Sequence, residues 1–180
     1  CVFSRVGLLK AKFSDVNFSY SRFEDVYFRY ASFDNTRAMG AKFDRCNFSK
    51  ATFKSCIWEY CEFDKCHIDY DRLVSELPKK DRTYMRRDLL AALKRNAISM
   101  HDHRSANWLL LQEKKADRDF QWAILTSDEE YYKKFSTRSQ FRAGFKYASH
   151  LISWIVWGYG VKLLNVPILA ILIVLAGSVL

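Results

Sequence analysis

A solenoid followed by helices is the fold class this sequence predicts, and three observations carry it. Large apolar residues recur every five positions through the first seventy residues, and that beat stops at Asp71. Beyond it the apolar spacing becomes helical, and the sequence closes on an uncharged apolar run from Val166 to Leu180. A helix repeats every 3.6 residues and a strand every 2.0, so a sustained period of five marks units that stack on themselves.

Counting in fives from Phe3 gives Phe3, Leu8, Phe13, Phe18, Phe23, Phe28, Phe33, Ala38, Phe43, Phe48, Phe53, Trp58, Phe63 and Ile68. Two residues before each stands a small side chain, among them Ala11, Ala31, Ala41, Ala51, Val6, Val16, Val26, Cys46, Cys56, Cys61 and Cys66. The intervening residues are mostly Lys, Arg, Asp, Ser, Asn and Tyr. Thirteen of the fourteen centres are large and apolar, Ala38 being the exception. This alternation resembles the pentapeptide repeat.

The resemblance implies a right-handed, quadrilateral β-helix over residues 1–70, with four pentapeptides to a coil. Residues twenty apart then stack in columns. Ala11, Ala31 and Ala51 fall in one column, Val6, Val26, Cys46 and Cys66 in another. Outward positions give Arg5, Asp25, Arg45 and Lys65, and also Lys10, Tyr30, Lys50 and Tyr70. The second set suits cation–aromatic stacking and is the candidate interaction surface of the rod. Phe18, Phe33, Phe53 and Trp58 are expected in the core, with the large Trp58 filling the room left by Ala38. Fourteen repeats make three and a half coils, about 17 Å of rod at ~4.8 Å per layer.

The sequence of 180 residues begins inside a repeat without Met and stops inside an apolar run, so truncation at both ends is expected. All five cysteines occupy the small inward position, where a free thiol serves as a compact apolar side chain. Reduced thiols point to a cytosolic setting. Residues 1–70 hold eleven Lys and Arg against nine Asp and Glu, and residues 71–180 eighteen against eleven. Some pentapeptide-repeat proteins mimic DNA and inhibit gyrase. Such mimicry needs a strongly acidic rod, and this rod is not acidic.

Pro78-Lys79-Lys80 marks a boundary, and residues 71–126 read as a helical hairpin capping the rod. Met85, Leu89, Leu93 and Ala97 recur every four residues in its first helix. His101-Asp102 reads as a turn with an N-cap, and Ala106, Leu109 and Leu110 line the second helix. Two short helices here would cover the open edge of the last coil. Ser127-Asp128-Glu129-Glu130 is a capping box, so a basic amphipathic helix is expected to start there and run to about Trp157, within a 127–160 segment. Its apolar residues are Phe135, Phe141, Phe145, Ala148, Ile152, Ile155 and Val156, opposed by Lys133, Lys134, Arg138, Arg142 and Lys146. Two readings stand for it, an interfacial helix or an ordinary helix packed on a core. On the interfacial reading Arg142, Lys146, Trp154, Trp157, Tyr159 and Lys162 meet the membrane interface. Residues 161–180 are then the start of a transmembrane helix, with residues 1–160 cytoplasmic by the positive-inside rule.

Chemistry is sparse. Val156-Trp157-Gly158-Tyr159-Gly160 lacks the Thr and the preceding span that a potassium filter needs. His101 and His103 have no third metal ligand nearby. Cys66 and His67 are adjacent and point to opposite sides of the rod. No phosphate-cradling Gly loop and no nucleophile–base motif is present. No catalytic, cofactor or metal site is therefore assigned, and an enzyme is not expected. Basic residues with Tyr and Trp after residue 71 suit anionic headgroups better than nucleic acid, which is not expected as a partner.

The order of rod, hairpin, basic helix and apolar run resembles bacterial pentapeptide-repeat membrane proteins, some of which continue into a two-helix, potassium-channel-like pore. That resemblance implies an inner-membrane location, lipid contact and a homo-oligomer. Two functions follow as expectations: a sensor or scaffold rod coupled to a pore, or a non-conducting, membrane-anchored scaffold for an unidentified protein partner, bacterial defence effectors included.

Overall fold

The computed structural model describes residues 1–77, 83–126, 130–157 and 159. It divides into two compact units, Cys1–Glu113 and Lys114–Leu180.

In the first unit the chain winds as a β-solenoid of about three turns. Seven three-residue strands, each centred on a Phe, form two of its sides: β1 (Val2–Ser4), β2 (Lys12–Ser14), β3 (Arg22–Glu24), β4 (Ser32–Asp34), β5 (Lys42–Asp44), β6 (Thr52–Lys54) and β7 (Glu62–Asp64). They make two parallel sheets, ordered β1-β3-β5-β7 and β2-β4-β6. The other two sides are held by single parallel bridges, Gly7–Tyr27–Asn47–His67 and Asn17–Arg37–Ile57. Partners are twenty residues apart throughout, as in Phe3 with Phe23 and Phe13 with Phe33. Four pentapeptides to a coil is the register observed.

The geometry explains the spacing of residue types. The chain turns at each fifth residue, and every corner from Arg5 to Lys65 has a left-handed backbone, with φ between 49° and 65°. For a residue with a Cβ that conformation costs on the order of 1 kcal/mol. The cost is offset because coil-to-coil hydrogen bonds flank each corner, such as Lys10 N–H to Arg29 O at 3.0 Å and Tyr30 N–H to Ser49 O at 3.1 Å. Inside, phenylalanine rings stack in columns at the coil spacing. Phe3–Phe23 and Phe23–Phe43 both stand 4.9 Å apart, nearly parallel, while rings on adjacent sides meet edge to face. Both arrangements favour the aromatic quadrupole. Phe33, Phe53 and Trp58 are buried and Phe18 is half-buried. Trp58 sits above buried Ala38 and touches the rings of Phe33, Phe43, Phe53 and Phe63.

After β7 the chain leaves the solenoid through α1 (Tyr70–Ser75) and then α2 (Thr83–Ser99), which packs on β7, while α1 packs on β6. Leu73, Val74, Leu77, Leu89, Leu90, Leu93 and Ala97 are buried between them and the last coil. Three side chains replace the backbone groups of the coil that is not there. Asn96, wholly buried, accepts from Cys66 N–H and donates to Cys66 O, both at 2.8 Å. Its amide also donates to the Tyr70 hydroxyl at 2.8 Å. Ser99 Oγ accepts from Lys65 N–H at 3.2 Å, and Asp69 Oδ2 from Lys50 N–H at 2.7 Å. An open parallel edge is thereby sealed by hydrogen-bond mimicry as well as by apolar cover. The turn to α3 (His103–Thr126) is capped by Asp102, whose Oδ1 accepts Ser105 N–H at 3.0 Å. Lys94 and Glu113 form an ion pair between α2 and α3.

In the second unit the end of α3 packs with α4 (Glu130–Lys133) and α5 (Thr137–Trp157).

Three expectations are corrected. The two short capping helices are one of 17 residues and one of 24. The single helix expected up to Trp157 is broken: α4 ends with Phe135 N–H bonded to Tyr132 O, and α5 starts anew with Ser136 as its cap. At the break the Phe135 ring meets Phe120 edge to face at 6.4 Å. The transmembrane helix in the expected fold class is not found. No helix among the described residues is long and apolar enough to cross a membrane. The most apolar of them, α5, carries Arg138, Arg142 and Lys146 within its length. Residues 161–180, to which the span was assigned, lie outside the described residues.

Candidate interaction surfaces

The rod offers four corner columns, and in three of them one pair of polar side chains bonds within the column. In the first, Arg45 bonds Asp25 through two nitrogens at 2.8 and 3.1 Å and also pairs with Asp44 at 2.6 Å. The Arg45 hydrogen bond holds the Asp25 carboxyl below the usual carboxylate range. In the second, Lys50 Nζ donates to the Tyr30 hydroxyl at 3.2 Å and lies 5.2 Å from the ring centre, with Arg29 equally near. Hydrogen bonding by Lys50 lowers the Tyr30 phenol from its ordinary value. The third column joins Asn35 Nδ2 to Asp15 Oδ1 at 2.5 Å.

The fourth column is Tyr20, Gly40 and Tyr60, and it is different. Tyr20 is 75% exposed and Tyr60 60%. Neither hydroxyl has a hydrogen-bond partner among the described residues. The Tyr20 ring lies over Gly40, where an added Cβ would meet its Cδ1 and Cε1 at 2.8 Å. Gly40 is needed here for the close approach of that ring, since its φ of 65° is shared by neighbouring corners that carry side chains. Two coils separate the tyrosines, about 10 Å at the usual strand spacing.

Two residues beyond this column runs the β1-β3-β5-β7 sheet, whose outer face carries an open groove of about 570 Å³. Arg22, Lys42 and Arg95 supply positive charge there, and Asp44, Glu62 and Asp64 negative. Lys42 pairs with Glu62 at 2.8 Å and Arg22 with Glu24 at 2.5 Å. All are substantially solvated, so these pairs contribute little to stability.

Two of the interior thiols, Cys61 and Cys66, are held in the protonated form. Burial pushes the Cys61 thiol up to about 12, and a hydrogen bond with Cys46 together with burial raises Cys66. Both are protonated at neutral pH and therefore poor nucleophiles. Among the described residues no group of His, Cys, Asp and Glu could hold a metal ion.

In the second unit α5 buries Ala143 and half-buries Tyr147, His150 and Leu151. Tyr147 packs on Trp122 at 5.1 Å, and His150 Nε2 lies 2.9 Å from Asp117 Oδ2. The Tyr159 ring lies 5.9 Å from His150, and burial raises its phenol above the ordinary value. On the outer side Phe141 is 82% exposed, Phe145 75% and Ile152 62%.

The residues singled out from the sequence are placed unevenly. Lys10, Tyr30 and Lys50 share one corner column, and Tyr30 and Lys50 touch. Tyr70 leaves that column, enters α1 and is buried against Asn96. Burial pushes its phenol up to about 12. Arg142, Lys146 and Trp154 are exposed on α5. The side chain of Trp157 and all of Lys162 lie outside the described residues. The Tyr20–Gly40–Tyr60 column was not singled out, although two tyrosines forty residues apart around a glycine are visible in the repeat register. Asp69, Asn96 and Ser99 carry no sequence signal for their capping role.

Residues 1–73 match the pentapeptide repeat region family. No curated protein matches the chain. The matched residues, 1–73, are the stretch that winds into the solenoid described above, so this part of the chain is a pentapeptide repeat region.

Proposed function

We propose that the rod docks a protein partner along the Tyr20–Gly40–Tyr60 corner and the adjoining charged groove, and that it does so without catalysing a reaction. The observation that carries this reading is the contrast among the four corners. Each of three joins two stacked polar side chains by a hydrogen bond within the column, whereas the fourth leaves two phenols exposed with neither hydroxyl bonded among the described residues. Tyrosine suits such a role because it supplies a large contact area at low entropic cost and one hydrogen bond at its tip. The rigid solenoid fixes the spacing of the two rings before binding, which reduces the ordering cost of association. The mixed charges of the groove then set orientation and discrimination more than affinity. The pore-coupled alternative requires a spanning element, and no described helix can serve as one.

The test is site-specific photo-crosslinking in the full chain. A photoreactive phenylalanine analogue at Tyr60 should give a discrete protein adduct that is lost when Gly40→Arg displaces the Tyr20 ring. The same analogue at Ser55, on another corner, should give none. Equal adducts from both positions, or adducts indifferent to Gly40→Arg, would refute docking at this corner.

A further inference from the structure

The outer side of α5 has two rows with different chemistry. At 100° per residue, Phe141, Phe145, Ala148 and Ile152 fall within a sector of about 60°, and all four are exposed. Arg138, Arg142 and Lys146 occupy the adjacent sector on one flank and are exposed as well. The helix contains no Asp or Glu from Thr137 to Trp157. Its inward side is already used, with Ala143 buried and Tyr147 and His150 engaged by Trp122 and Asp117. The exposed apolar row is therefore not the packing face of the unit.

We propose that α5 lies flat on an anionic lipid surface, its Phe141–Phe145–Ala148–Ile152 row at the acyl boundary and its Arg138–Arg142–Lys146 row against headgroup phosphates. This goes beyond the rod's docking role and uses a separate part of the chain. Charge complementarity selects the occupant. A one-sided cationic row with no acidic residue on the helix fits a continuous anionic plane. Two large aromatic side chains standing out from a helix surface fit shallow insertion. Arg138 to Ile152 spans about 21 Å at 1.5 Å per residue, so the whole stretch can touch a plane at once.

The experiment is flotation of the full chain with vesicles of phosphatidylcholine, with and without phosphatidylserine, at low and high salt. Binding should require phosphatidylserine and weaken with salt. Arg142→Glu combined with Lys146→Glu should weaken it by at least about tenfold and remove most of the salt dependence. Phe141→Ser combined with Phe145→Ser should weaken it by about tenfold or more while leaving the thermal melt of the rod unchanged. A rod control, Lys12→Glu with Arg37→Glu, should bind like the parent. Three outcomes would overturn the proposal. Equal flotation of both α5 variants would place lipid contact elsewhere, for instance in the run 166–180. Equal loss in the rod control would reduce the effect to net charge. Conversion of a dimer to a monomer by the Phe variant, with flotation retained, would assign the row to a second copy of the chain. Should the Phe variant misfold, the charge variant alone decides.

Discussion

The rod and α5 treat phenylalanine in opposite ways. Phe23, Phe28 and Phe48 are sealed inside the coils, whereas Phe141 and Phe145 stand in solvent on a helix. The difference lies in what each backbone can do with a side chain. A coil that turns every five residues has an inside on which every centre converges, and twenty-residue stacking turns those centres into continuous ring columns. A lone helix has only one inward stripe, and α5 fills it with Ala143, Tyr147 and His150. The same residue type is structural in the first unit and available for binding in the second.

The strongest way to break that contrast is to remove a ring from the solenoid. Trp58→Ala deletes contacts with Phe33, Phe43, Phe53 and Phe63 above a position, Ala38, that has no bulk to collapse into the gap. The expected loss is about 3–5 kcal/mol, read as a large drop in the midpoint of thermal or urea unfolding. An unchanged midpoint would mean that the ring columns are not the source of rod stability.

Ionisation of the buried thiol probes the same interior. Cys61 in the unfolded chain ionises near 9, but burial holds it at about 12 in the fold. Between those values the folded state keeps a proton that the unfolded state gives up, so stability falls as pH rises from about 9 and levels off above 12. The loss amounts to a few kcal/mol. Tyr70, raised from 10 to about 12, adds a decline beginning a little later. Urea unfolding as a function of alkaline pH should show the decline, and Cys61→Ala should lessen its early part, to which the raised Cys66 and Cys56 thiols also contribute.

The sealed end is the next point of attack. Asn96→Leu keeps volume and apolar cover but leaves Cys66 N–H and C=O and the Tyr70 hydroxyl without their partners. About 2–3 kcal/mol should be lost, with faster amide exchange at Cys66 than in the parent. Loss of the exchange protection without loss of stability would show that apolar cover alone closes the solenoid.

How much of this could be read from the sequence follows from the range over which each feature is determined. A five-residue period determines inside and outside at every position, so the coils, the twenty-residue register and the buried Trp58 were legible. The role of Asn96 is set by an edge thirty residues earlier, and nothing local to α2 announces it. The Lys10–Tyr30–Lys50–Tyr70 column failed at its last member because the chain turns into α1 before that corner forms. The interruption between α4 and α5 is not legible because helical apolar spacing continues across it, and Ser136, which caps α5, has no Glu or Gln three residues on to mark a new start. The contrast between the Tyr20–Gly40–Tyr60 corner and the bonded pairs of the other columns depends on side-chain geometry, which the repeat register alone does not supply.

A smaller effect of opposite sign sharpens the account of the corners. Ser55 has φ of 52° and an exposed side chain that makes no hydrogen bond among the described residues. Ser55→Gly removes left-handed strain while adding entropy to the unfolded chain, and the net gain should be about 0.5–1 kcal/mol. Asn35→Gly should gain nothing, because Asn tolerates this conformation and bonds Asp15.

The smallest expected effect is the most diagnostic of the contrast. Phe141→Ser and Phe145→Ser should each change unfolding stability by no more than about 0.5 kcal/mol, as surface substitutions do, while Phe28→Ser in the rod should cost several kcal/mol. The chemistry of the change is identical, so the difference isolates the environment. A large destabilisation by Phe145→Ser would show that the outer row of α5 is a packing face after all, covered by part of this chain or by a second copy, and lipid docking there would fall with it. A negligible effect, together with loss of vesicle binding, would leave the row with binding as its role.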